Sequence, residues 1–411
     1  MESGIPPRPC LTHGRGILPQ NLMKHRAPSF CRFGKRQLVV LGAVVAGIAG
    51  FTSVAYAIKP LPVPVVPSIP DSPFPQMPDT GQPLPVPVVP PIPDTPFPQT
   101  PNSEFLQSAD GWRNPQLIRT LEGHSGAVDA LSFSPDGKIL ISGGSRNDGK
   151  IKLWLVNLGR EIQSLRAQRT DVAAIAFSPD GEMLVSGGID AGVNLWNWKT
   201  GKYTTIFLEH SSNLLSLAIT PDSKTLVSGG LDGIRVWDLK RERPIYTLTR
   251  FDNQTYALAI NPEGDILTSG HKYGTIKLWN LKTGRLLSRL SGHTGSVSAL
   301  AFTPDGQTLV SSSYDRTIKV WNLRTGRLQY TLSGHTGRVW AIAINPDGET
   351  LASTSRDGVR LWNLKTGERL ALLTAHKDWV QSVAFSPDGR LLASGGFDKT
   401  IKIWQAASPA R

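Results

Sequence analysis

From Gln116 onward, apolar side chains return in short alternating runs, and the runs themselves recur every 41 or 42 residues. In Ile276-Lys277-Leu278-Trp279 and Ile401-Lys402-Ile403-Trp404, apolar and polar positions alternate. That is the period of a strand with one buried face. The tryptophans that close these runs mark the repeat: Trp154, Trp196, Trp237, Trp279, Trp321, Trp362 and Trp404. Seven of them predict seven units. Each unit adds a second run ending in small residues, such as Ser142-Gly143-Gly144, and a turn such as Ser134-Pro135-Asp136-Gly137. Proline presets φ and glycine accepts positive φ, so this turn predicts a hairpin between two strands. A further run in each unit, such as Ala130-Leu131-Ser132-Phe133 or Ala299-Leu300-Ala301-Phe302, is mostly small and apolar.

The pattern before Gln116 is different. Leu38 to Ile58 is 21 residues without a charge, bounded by Lys35-Arg36 and Lys59-Pro60. It is long enough to span a bilayer and lacks the polar positions at 3.6-residue spacing that a buried core helix would show. The basic residues before it predict that everything after Ile58 crosses, placing the repeats on the non-cytoplasmic side, either membrane-anchored or secreted. Ala55-Tyr56-Ala57 also has the form of a signal-peptidase site. Cleavage after Ala57, with Met23 as an alternative start to Met1, and retention as an anchor both remain open. Residues 60–101 carry proline at 17 of 42 positions, in a duplication of period 23 that begins at Pro60 and again at Pro83. Proline removes amide donors and fixes φ, so this tract predicts a stiff polyproline II spacer. The expected organisation is a basic leader over 1–37, a membrane or signal segment over 38–58, a proline-rich linker over 59–112 and a repeat domain over 113–411.

Composition changes this picture little. The net charge is +12, but Arg8, Arg15, Lys24, Arg26, Arg32, Lys35 and Arg36 against Glu2 put half of that excess in the leader. No binding motif surrounds them, which argues against nucleic acid as a partner. Both cysteines, Cys10 and Cys31, also lie in the leader, so the repeats can form no disulfide or thiolate metal site. No phosphate-binding loop, zinc spacing or calcium loop is present, and neither cofactor nor metal is expected.

With Gly123-His124, Gly292-His293 and Gly334-His335 opening units and Trp237-Asp238 closing one, the region from Gln116 to about Ala406 resembles the WD-repeat family. The resemblance implies an all-β fold, a seven-bladed β-propeller of four-stranded blades. It also implies a role for a recurring polar set. His293, Ser311 and Asp315, with Trp321, have the composition of a hydrolase triad, but the set recurs as His124, Ser142, Asp148 and Trp154; His210, Ser228, Asp232 and Trp237; His335, Ser353, Asp357 and Trp362; and His376, Ser394, Asp398 and Trp404. An active site needs one constellation. The family resemblance makes these sets hydrogen-bonded structural staples, with no catalytic residue among them. Unit 2 departs with Gln168 at the histidine position. Unit 4 has Phe251 and Tyr273 where histidine and aspartate would stand, and these two aromatics are expected to fill the space by packing.

The same resemblance places the starts of the innermost strands and the second-to-third-strand hairpins on one contact face. Arg338, Trp340, Trp379 and Gln381 fall at strand starts, and Tyr314, Arg356 and Phe397 in hairpins, with Asp129, Tyr256 and Lys272 completing the rim. Aromatics and arginine are typical interface anchors. The alternative, that Trp340 or Trp379 only packs between blades, stays open. The function expected is a non-catalytic protein-interaction scaffold, a monomeric propeller held beyond a membrane. Its rivals are a ligand-binding or catalytic propeller using the central channel and a structural envelope component. Finally, Gln116 to Leu121 has no blade of its own and matches Leu328 to Leu332, the outer strand before His335. It is expected to pair with the strand ending at Trp404 and close the ring.

Overall fold

The computed structural model describes residues 109–250 and 254–407. The basic leader, the apolar run Leu38 to Ile58 and the proline-rich tract lie outside the described residues, as does Phe251.

The alternating runs form strands, and each strand takes its place in a four-stranded antiparallel sheet because tight turns join successive runs. The first sheet comprises β2 (Val128–Phe133), β3 (Ile139–Gly144), β4 (Lys150–Leu155) and β5 (Arg160–Arg166). Five more repeat it: β6 (Val172–Phe177) to β9 (Lys202–Phe207), β10 (Leu214–Ile219) to β13 (Arg243–Arg250), β14 (Thr255–Ile260) to β17 (Leu286–Leu290), β18 (Val297–Phe302) to β21 (Arg327–Leu332), and β22 (Ile342–Ile344) to β25 (Arg369–Leu373). The first strands of neighbouring sheets touch in succession, and β26 (Val380–Phe385) touches β2, so the sheets form a closed ring of seven blades.

The seventh blade joins the two ends of the described chain. It consists of β26, β27 (Leu391–Gly396), β28 (Ile401–Gln405) and, antiparallel to β28, β1 (Gln116–Leu121). Leu117 lies opposite Trp404 and Leu121 opposite Ile401. The strand without a blade of its own thus occupies the outer edge predicted for it. Just before it, Ala109–Trp112 forms a 3-10 turn whose Trp112 ring is fully buried and meets Phe385 edge-on, with centroids 5.2 Å apart. The folded domain therefore begins inside the segment assigned to the linker, because a side chain the size of tryptophan finds apolar cover there between blades six and seven.

Burial follows the layering. β3 is buried along its whole length between adjacent blades, whereas β5 at the rim alternates exposed positions with half-buried ones and the buried Leu165. The small residues ending the second strands are required by this packing. A Cβ on Gly143 would stand 2.8 Å from Val172 of the next blade, and one on Gly270 would stand 2.6 Å from Val297. Blade six has Thr354 at this position. Its hydroxyl accepts the Ala341 N–H at 3.0 Å, and the regular pairing of β22 begins only at Ile342. Trp340 sits at the irregular start of this innermost strand and still donates its N–H to the Thr354 carbonyl at 2.9 Å.

Candidate functional site

The polar sets implied by the repeat are brought together in five blades. Each tryptophan Nε1–H donates to the serine Oγ at 2.8 to 3.1 Å. Each serine Oγ lies 2.7 to 2.9 Å from the histidine Nε2. The histidine Nδ1 meets the aspartate carboxylate, at 2.7 to 3.0 Å in blades three, five, six and seven, and closely in His124 with Asp148. All five serines are wholly buried, so none of these hydroxyls can meet a substrate. Burial pushes the carboxyl of Asp315 up, but hydrogen bonds from His293 and Thr317 outweigh it and hold the group well below the usual carboxylate range. Asp357 and Asp398 follow the same balance through His335 and His376.

Blade two keeps the Trp196 bond to Ser186 at 2.9 Å, while Gln168 turns to the Gly192 carbonyl at 3.4 Å. Blade four corrects the packing expectation. Tyr273 is 75% exposed and fills no interior space. The vacancy is taken by His271, whose Nε2 lies 2.9 Å from the Ser269 Oγ that accepts the Trp279 N–H at 2.8 Å. His271 stands two residues beyond Ser269 on the same strand, so an imidazole reaches the serine from within the sheet and the aromatic at position 273 is free to face solvent. Reading only the histidine and aspartate positions of the repeat misses it.

The staples also position a surface. Each joins the loop entering an innermost strand to the hairpin between the second and third strands, at one end of the ring. The candidate contact residues flank staple residues directly: Arg338 and Trp379 lie three residues after His335 and His376, while Tyr314, Arg356 and Phe397 immediately precede Asp315, Asp357 and Asp398. The structure brings six of the seven together. Tyr314 meets Trp340 at 5.0 Å between ring centroids, Trp340 meets Trp379 at 6.4 Å, and Trp379 stacks on Phe397 at 5.5 Å. Tyr256 extends the row, 6.1 Å from Tyr314. Arg338 lies 4.9 Å over the Tyr314 ring and Arg356 6.0 Å from that of Trp379. Gln381 is half-buried and Lys272 lies over Tyr273, outside this row.

The arc crosses from blade four to blade one, where Arg146 lies 4.0 Å over Phe397. Sequence reasoning missed Arg146 because blade one places Asp148 six positions after Ser142, where blade five places Asp315 four positions after Ser311. The longer hairpin holds Arg146 and Asn147 at φ of 53° and 71° and swings the guanidinium toward blade seven. Trp379 is 37% exposed, and the other rings of the arc are half-buried. Trp340 and Trp379 thus both pack between blades and present an open edge.

The WD domain, G-beta repeat family matches residues 115–154, 159–197, 201–238, 242–280, 284–322, 326–363 and 367–405. The chain belongs to the WD40 repeat family. Among individual relatives, the small ribosomal subunit protein RACK1 of Medicago sativa is 46% identical over 54 residues, 13% of this chain and 16% of that protein. That of Glycine max is 44% identical and RACK1z of Arabidopsis thaliana 43%, over stretches of the same length. The matches span 16% of these relatives, little more than one repeat.

Near the start of β2 in this WD40 propeller, burial pushes the Asp129 carboxyl up to about 6, opposed by Ser145 and Arg146 and assisted by Asp171. Its Oδ1 has no hydrogen-bond partner among the described residues. Burial likewise pushes the Tyr314 phenol up to about 12, with Tyr256 and Asp129 contributing. Asp129 has a stability consequence. Between its unfolded value of about 4 and its folded value the native state holds the extra proton, so stability falls as pH rises through that window. Asp129→Asn is expected to stabilise the fold by on the order of 2 kcal/mol at pH 7 and to change nothing below about pH 4. Urea titrations at the two pH values check this, and an equal effect at both would show that Asp129 is not the titrating group.

Proposed function

We propose that this WD40 propeller is a non-catalytic protein-binding platform, and that the aromatic and arginine arc from Tyr256 to Arg146 is its contact surface. The continuous arc is the observation that carries the reading. Half-exposed aromatic rings with guanidinium groups laid over them supply large, rigid contact area at little entropic cost, the composition that anchors protein interfaces. The basic leader and the apolar run before the proline-rich tract support display of the platform on the far side of a membrane.

A membrane-impermeant crosslinker applied to intact cells carrying the full chain tests both parts. The partner adduct formed by the wild type is expected to fall at least tenfold in Arg338→Ala with Trp379→Ala, and in Arg338→Ala with Arg356→Ala, where both substituted side chains are exposed and stability should change by about 1 kcal/mol or less. Adducts that survive the double substitutions would remove the arc from the interface. Adducts formed only after lysis would sink the display reading and leave the platform standing.

A further inference from the structure

We infer that the arc takes a proline-rich, acidic segment in polyproline II form. This rests on the arc being the binding surface and names the chemistry of what it binds. Three observations converge on it.

The first is shape. A polyproline II helix has three residues per turn and rises about 3.1 Å per residue, so prolines three apart line one edge about 9 Å apart. Two ring-to-ring steps of the arc, 5.0 Å from Tyr314 to Trp340 and 6.4 Å from Trp340 to Trp379, make a row long enough to take one such repeat. Flat pyrrolidine rings seat against aromatic faces, and the preformed helix loses little entropy on docking.

The second is charge. Arg146, Arg338 and Arg356 are exposed over the rings, and among the described residues none has a carboxylate within ion-pair reach. Guanidinium groups held on aromatic faces keep their donor edges free for a planar carboxylate. A ligand that fits therefore carries acidic groups between its prolines and no competing cations.

The third is that the chain itself contains this chemistry twice. Pro64, Pro67, Pro70 and Pro73 fall three apart, with Asp71 beside Pro70, and Pro87, Pro90, Pro93 and Pro96 repeat the spacing with Asp94 beside Pro93. From Pro60 to Phe105 the only charged residues are Asp71, Asp79, Asp94 and Glu104. The described chain joins the propeller at the other end of the ring: Trp112 packs on Phe385, the last residue of β26, whereas Trp379 immediately precedes its first. The arc is thus left clear of the residues leading into β1.

The probe is a fluorescent peptide with the sequence from Pro83 to Phe105. It is titrated, in detergent, onto the full-length chain with residues 60–101 replaced by a glycine–serine repeat of equal length, so that no tract in the protein competes. Saturable binding is expected, weakened at least tenfold by Trp379→Ala and by Pro90→Ala with Pro93→Ala in the peptide. Asp94→Asn in the peptide and Arg356→Ala in the protein should each weaken it severalfold and lessen its salt dependence. Circular dichroism and melting of each variant show that the fold is retained. Equal binding of a proline-free peptide with the same acidic residues would overturn the inference, because the arc would then read charge alone. No binding by either peptide would also overturn it, and if crosslinked adducts still depended on Trp379 and Arg338 the platform reading would survive. Loss of both dependences would remove the two together.

Discussion

A chain that begins at Glu122 will unfold on the order of 10 °C below one that begins at Asn102. Removing β1 withdraws buried Leu121, worth about 1.5–3 kcal/mol, and the ladder to β28, at about 1 kcal/mol net per hydrogen bond. It also leaves the outer edge of β28 unpaired and cuts the join between the first and last repeats, so the ring is no longer held shut. A total on the order of 5 kcal/mol lowers the melting point by about 10–20 °C in a domain of this size. A third chain, beginning at Asn114, separates the two parts of the segment: it lacks Trp112 but keeps β1 and should melt between the others. Calorimetry on the three decides the matter. If the chains beginning at Glu122 and Asn114 melt together, Trp112 accounts for the whole effect and β1 is not the clasp.

The second large effect concerns the staples. Ser353→Ala is expected to cost about 3–4 kcal/mol, because the wholly buried hydroxyl serves the Trp362 N–H at 2.8 Å and the His335 ring at 2.7 Å, and both are then stranded away from water. Each buried polar group left without a partner costs about 1–3 kcal/mol. Ser186→Ala in blade two should cost about half as much. There the serine takes the Trp196 N–H while Gln168 bonds elsewhere. Denaturant titration of the two variants makes the comparison, and equal losses would show that the histidine bond contributes nothing to the staple. Ser269→Ala supplies a further check, since His271 gives blade four the same two-partner serine by another route. Its cost should match that of Ser353→Ala, not that of Ser186→Ala.

The sequence by itself determined the number of blades, the order of strands within each and the strand that closes the ring. All of these are contacts at a fixed sequence separation, and a repeat writes such contacts many times over. The tryptophan at the end of each third strand, the proline–aspartate turn and the serine of each second strand bear a constant offset to one another because a single sheet brings them together. The partners of Gln116–Leu121 were also legible, since an unmatched outer strand and an unmatched blade edge can satisfy each other in one way. What only the tertiary structure decided lies between blades or depends on a local departure. Tyr256, Tyr314, Trp340, Trp379 and Phe397 are spread over some 140 residues of chain, yet the ring gathers them into one row with neighbouring centroids 5.0 to 6.4 Å apart. Arg146 joins that row because a lengthened hairpin carries it over Phe397, and His271 replaces a missing staple because its own strand aims it at Ser269. Periodicity records which residues share a blade. How the ends of seven blades meet is set by ring closure and by the reach of individual loops and side chains, which no repeat in the chain encodes.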